Sequence, residues 1–191
     1  MATGFGLIPV RNIRGGQAVR VRTYYVPSTD STALLIGDAV ELVNAMDPKS
    51  EVSVVKRATA GNALLGAVVG FLPDASLLYT GNIRAASTNR YVLVCDDPDA
   101  VFQIQEDADG GVVSAANVGA MANADIIVAS GSTVTGMSGT MLDSSDAKTT
   151  TANLKIVGVK RDGTNAAAAS AGAVLEVIIF EHALTTADSI T

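Results

Sequence analysis

Residues 90–107, RYVLVCDDPDAVFQIQED, decide how the rest of the chain is read. Tyr91, Leu93 and Cys95 alternate with Val92 and Val94, which describes a strand with both faces largely buried. Asp96, Asp97, Pro98 and Asp99 make a turn, because Pro fixes φ and Asp side chains bond their own backbone. Val101, Phe102 and Ile104 carry a return strand, with Gln103 and Gln105 on its other face. The spacing predicts a hairpin. A hairpin this apolar is not stable alone in water, so the flanking sequence must supply more strands.

It does so on both sides. Upstream, Val19, Val21, Thr23 and Tyr25 alternate with Arg20, Arg22 and Tyr24. LLIGDAVELV (34–43) reads as strand around a Gly37–Asp38 turn or bulge. Residues 52–59 alternate again, and LLGAVVGF (64–71) is a further apolar strand. Downstream come DIIVA (125–129), a short pairing segment at 140–142, LKIVGV (154–159) and VLEVIIFE (174–181). Residues 73–89 and 165–173 lack a strand pattern and read as loops. Roughly eight to ten short strands between turns, with no amphipathic helix of useful length, indicate an all-β fold. The expected architecture is an antiparallel β-sandwich or barrel, jelly-roll-like or β-tulip-like. Its expected core is Leu34, Val40, Leu42, Val68, Phe71, Leu93, Phe102, Ile104, Val157, Val177 and Ile179.

Residues 1–18 have no period. Phe5, Leu7, Ile8 and Val10 form an apolar cluster among Gly4, Gly6 and Pro9, a composition that opposes both helix and central strand. The expected organisation is an extended N-terminal arm over 1–18, a single β-rich domain over 19–184 and a tail over 185–191. On this reading the arm crosses to a neighbouring subunit, with Phe5, Leu7, Ile8 and Val10 buried there and Arg11 and Arg14 at the rim. The alternative is that it tucks back onto its own core. Arg11, Arg14, Arg20 and Arg22 all precede the first acidic residue, Asp30, and the remainder is acidic. That asymmetry points the basic segment at an acidic surface on another copy or another protein.

Composition narrows the function classes. Charged residues are only 17% of 191, so the surface is mostly Ser, Thr, Asn, Gly and Ala, which suits packing against protein. Aromatics at 4%, with no Trp, disfavour a sugar-stacking platform. A net charge of −6 disfavours nucleic acid as a partner. No apolar run reaches the ~20 residues of a membrane span, and the N-terminus lacks a signal-peptide pattern, so folding in a cytoplasm is expected. Cys95 is the sole cysteine, which forbids an internal disulfide and reads as a small buried hydrophobe. His182 is the sole histidine, so any triad or histidine–metal scheme needs it. With no motif around it, His182 reads as a surface or interface residue. Asp96, Asp97 and Asp99 cluster at one end of the expected hairpin, and Glu106, Asp107 and Asp109 at the other. Asp107-Ala-Asp109-Gly110 echoes the start of a calcium loop but lacks the later ligands. No phosphate loop, dinucleotide fingerprint or nucleophile elbow is present. The sequence therefore leads us to expect no catalytic residue, no metal and no cofactor.

GFGLIPVR, LLIGDAVELV, RATAGNALLGAVVGF, AASTNRYVLVCDDPDAVFQIQED and TVTGMSGTMLDSS together resemble small virion structural proteins of tailed bacteriophages, in particular head decoration or cement proteins. The resemblance runs from about Gly4 to His182 and is most specific over Arg90 to Asp107. It implies a structural role on the outer surface of the expanded head, at capsomer junctions. The implied partners are the major capsid protein and further copies of the chain, as a homo-dimer or homo-trimer. A tail or neck protein, and a receptor- or glycan-binding β-sandwich, are the alternative readings.

Overall fold

The period-two segments become strands in the computed structural model, which describes residues 4–73, 81–108, 113–145, 147, 150–161, 165 and 171–185. In chain order the strands are β1 (Ile8–Asn12), β2 (Val21–Val26), β3 (Leu34–Leu35), β4 (Ala39–Met46), β5 (Ser53–Arg57), β6 (Gly66–Phe71), β7 (Ile83–Arg84), β8 (Arg90–Cys95) and β9 (Ala100–Gln105). A short helix, α1 (Ala115–Gly119), precedes β10 (Asn123–Ala124), β11 (Ile126–Ile127), β12 (Met141–Leu142), β13 (Leu154–Val159) and β14 (Val174–Ile179). The all-β class expected from the sequence is the one observed. The Ala-rich segment is described only at residue 165 and from 171 on, the tail only at Thr185, and Asp109 of the calcium-like stretch lies outside the described residues.

Strands β2, β5, β4, β6 and β8 close, in that order, into a barrel. All its pairings are antiparallel except one parallel contact, Tyr25 with Val54, that shuts β2 onto β5. Strands β1, β9, β14, β13 and β10 form a five-stranded antiparallel sheet. The expected hairpin at 90–107 is therefore corrected. Its two strands exist, but β8 pairs with β2 and β6, while β9 pairs with β1 and β14. Residues 96–99 carry the chain from barrel to sheet. β8 is apolar on both faces, β9 carries Gln103 and Gln105 on the face turned from the core, and each lies between two neighbours in its own layer.

Alternation then sorts the side chains into two cores. Val92 and Val94 of β8 point into the barrel with Tyr24, Val26, Leu34, Val40, Val55, Leu65 and Val68. Cys95 of the same strand faces the sheet instead, beside Ala39, Ala58 and Ala67. This wall of small side chains lets the sheet approach closely with its large ones: Phe102, Ile104, Leu154, Ile156, Leu175, Val177 and Ile179. Such pairing of small with large is how two layers reach interior packing density. Of the expected core, Leu42 and Phe71 are only half-buried against the barrel interior, and Leu93 and Val157 are half-buried elsewhere. Leu93 points out of the barrel beside Gly70, and Val157 sits at the register shift between Ile156 and Gly158. The weakly patterned stretch before β10 holds α1, capped by the Ser114 hydroxyl accepting from Asn117 N–H at 3.1 Å.

The expected boundary between 18 and 19 also needs correction. The first residues are extended, but they belong to the sheet: β1 pairs with β9 in the register Ile8 with Gln103 and Arg11 with Val101. Leu7 is fully buried in the core between the layers. The glycines that argued against a strand permit close approaches. A Cβ on Gly6, whose φ is +78°, would meet Gly37 O at 2.3 Å, and one on Gly4 would meet Met141 Cγ at 2.6 Å.

Candidate functional site: an acidic junction and an edge strand

The polar centre of the molecule lies where the chain leaves the barrel for the sheet. Asp96 has no solvent exposure. Its Oδ1 accepts from Arg20 Nε at 2.9 Å, and its Oδ2 accepts from Arg22 Nε and from the Tyr24 hydroxyl at 2.6 Å. Arg20 Nη2 also donates to the Asp96 carbonyl at 2.7 Å. Arg20, Arg22 and Tyr24 reach one acceptor because they line the approach to β2 and its first half, which runs antiparallel to β8 with Val21 opposite Cys95. Burial pushes the Asp96 carboxyl up, but the bonds from Tyr24, Arg20 and Arg22 outweigh it and hold the group below its ordinary value. Burial and the ionised Asp96 push the Tyr24 phenol up, so it stays a donor.

The neighbouring acids are engaged in the same way. Asp97 Oδ2 accepts from Asn12 Nδ2 at 3.1 Å and from Arg20 N–H at 3.2 Å, and its Oδ1 accepts from Asp99 N–H at 3.0 Å. Asp99 pairs with Arg14 at 2.7 Å. Arg11 pairs with Glu176 of β14 at 2.7 Å. The four early arginines thus meet acidic groups of their own chain, whereas the charge asymmetry had directed them to an acidic surface on another copy or another protein. The two ends of the sequence's basic and acidic blocks are folded against each other.

The residues expected to form the arm's interface divide accordingly. Leu7 belongs to the core, and Arg11 and Arg14 hold the edge strand to β14 and to the junction. Phe5, Ile8 and Val10 are half-buried. β1 is the terminal strand of its sheet, and Pro9 with the adjacent register shift blunts that edge.

His182, expected as a surface or interface residue, is instead buried within its own chain, 1% exposed. After β14 the chain runs beside Leu64, with which His182 forms a parallel bridge. Its Nδ1 accepts from Leu184 N–H at 3.1 Å, as a neutral imidazole does. Burial lowers its pKa to about 4, against the pull of Asp96 and Asp97. Cys95 is buried, and its thiol is pushed up to about 11, chiefly by desolvation. A thiol held protonated is not a nucleophile. Glu106 accepts from Gly172 N–H at 2.5 Å, and Asp107 Oδ1 accepts from Ser144 N–H at 3.1 Å and from its hydroxyl at 2.7 Å. Among the described residues no three His, Cys, Asp or Glu side chains come together as a metal site. Nor is any helix among them long and apolar enough to cross a membrane.

Sequence reasoning missed Arg84, which has no exposure at all. Its guanidinium donates to the carbonyls of Thr32, of Pro27 at 2.7 Å and of Asp30 at 2.8 Å, and its Nε to Thr88 O at 2.8 Å. It pins two loops through their backbones, and no local pattern around Ile83–Arg84 signals that. Compared with protein-family models, curated proteins and solved structures, the chain matches none.

Proposed function

We propose that this chain is a structural protein of a tailed-bacteriophage virion. It decorates the outer surface of the expanded head, binding the major capsid protein at capsomer junctions as a homo-dimer or homo-trimer. The observation that carries this reading is the fate of the polar groups at the junction. Arg20, Arg22, Tyr24, Asp96, Asp97, Arg14 and Asp99 are spent within the chain, fixing the connection between barrel and sheet. What the molecule then offers a partner is surface and rigidity. Cementing a shell needs both, since stable association is usually built on ~1,200–2,000 Å² of buried area. The sequence resemblance supplies the choice of shell. The test is co-sedimentation with expanded heads lacking decoration. Saturable binding that raises the temperature at which the heads burst is expected. Failure to bind heads at micromolar concentration, in the presence of intact folded protein, overturns the assignment.

A further inference from the structure

The five-stranded sheet packs one face against the barrel. Its other face carries half-buried and exposed side chains of a particular chemistry. Gln103 is opposite both Ile8 and Glu176, Gly158 is opposite Glu176, and Lys155 is opposite Ile178, so these residues share that face. A depression of about 480 Å³ lies there, lined by Arg11, Lys160, Arg161, Glu176 and Val157, with Gly158 among them. Beside it the Lys155 ammonium stands 5.7 Å from the centroid of the Phe180 ring, which is 42% exposed. Among the described residues this face holds Arg11, Lys155, Lys160 and Arg161 and one carboxylate, Glu176; Arg11 pairs with Glu176 and Lys160 also has a partner, so Lys155 and Arg161 are the cations an incoming carboxylate would meet. The whole chain carries −6. The face is a local reversal of the molecule's charge, interleaved with the apolar Val157, Ile178 and Phe180.

We propose that this face is a docking surface for an acidic, partly apolar segment of another protein, laid along β13 and β14. Its carboxylates meet Lys155 and Arg161, and its apolar side chains cover Val157, Ile178 and Phe180. Complementary charge of this kind fixes orientation and speeds encounter. Nucleic acid fits less well, because its phosphates would face Glu176 and its backbone has no use for the apolar half of the patch. The inference does not depend on the virion assignment, since it concerns what the face binds and not where the protein resides.

Gly158 makes a clean test possible. A Cβ there has only Glu176 Oε2, at 4.0 Å, within contact range, and its φ is not in the left-handed region. Gly158→Phe should therefore fill the depression without disturbing the fold, and Arg161→Glu reverses an exposed charge. Binding of a short labelled peptide of alternating Glu and Val is followed by fluorescence anisotropy at low and raised salt. A Gln/Val peptide and a labelled DNA duplex serve as comparisons. The expected result is salt-weakened binding of the Glu/Val peptide, little binding of the Gln/Val peptide, and about a tenfold loss in each variant at unchanged melting temperature. Tighter binding of the duplex than of the peptide would reassign the face to phosphates. No peptide binding, or equal binding by both folded variants, overturns the proposal. Binding to heads, measured separately, decides the virion reading whichever way the peptide falls.

Discussion

Two buried titratable side chains near one another, Asp96 and His182, respond to acid in different windows. Asp96 is held below its ordinary 3.8 in the folded state, so its contribution is complete above 3.8 and is lost only as pH falls through the lower folded value. His182 shifts from 6.5 to about 4 because burial excludes the imidazolium. The unfolded chain therefore binds the extra proton first, and stability is full above 6.5 and declines as pH falls from 6.5 towards about 4. The slope is at most about 1.4 kcal/mol per pH unit. Urea denaturation across that range should show the decline, and His182→Gln should flatten it. A wild-type profile already flat between the two values would mean that the buried imidazole carries no such penalty. The groups nearest in charge, Asp96, Asp97 and Arg20, partly offset one another and leave burial in control. None of this was legible in the sequence, where a lone histidine beside Glu181 at the end of a strand has no periodic partner to mark it as inward.

At the scale of elements, β1 is the one whose status changes what an experiment should find. A free arm could be removed at no cost to the fold. A strand paired to β9, with Leu7 in the core and Arg11 bonded to Glu176, cannot. Leu7→Ala should cost about 2–5 kcal/mol, and removal of residues 1–14 more than that. Thermal melting checks both, and a truncated protein melting with the full chain would return β1 to the role of an arm. The period-two segments at β2, β5, β6, β8, β9, β13 and β14 were legible because alternation reports that a side chain points inward. Alternation does not report which layer is inward, so β8 and β9 read as partners although each is central in a different sheet. β1 escaped notice because Gly4, Gly6 and Pro9 look like breakers. In the fold the two glycines admit backbone where a Cβ would collide, and the proline occupies an edge that needs no donor on its outer side. The arginines were legible as a block, but their partners lie at Asp96, Asp99 and Glu176, too far along the chain for local pattern to reveal.

For the molecule as a whole, the decisive feature is that barrel and sheet share one core. Ala39, Ala58, Ala67 and Cys95 on the barrel wall complete the burial of Phe102, Ile104 and Leu175, so neither layer keeps its apolar face covered without the other. A single cooperative unfolding transition should follow. Of the four tyrosines, Tyr24, Tyr25 and Tyr91 lie on barrel strands, so in a Tyr79→Phe background tyrosine fluorescence reports the barrel, while far-ultraviolet circular dichroism reports both layers. The two denaturation curves should coincide, and a separated tyrosine transition would show that the layers are independent. The pairing of β1 with β9 has a different consequence for a nascent chain. β1 leaves the ribosome before the other strands described, yet its partner begins at Ala100, and the strand on the partner's far side ends at Ile179. At translation speeds of ~5–20 residues per second, β1 waits on the order of ten seconds for its neighbour. The barrel strands are complete by Cys95, and the sheet lacks β14 until Ile179, so the barrel can close while the sheet is still being made. Vectorial synthesis thus orders assembly from barrel to sheet, and the proline and bulge of β1 protect an edge that spends its first moments beside other emerging polypeptides.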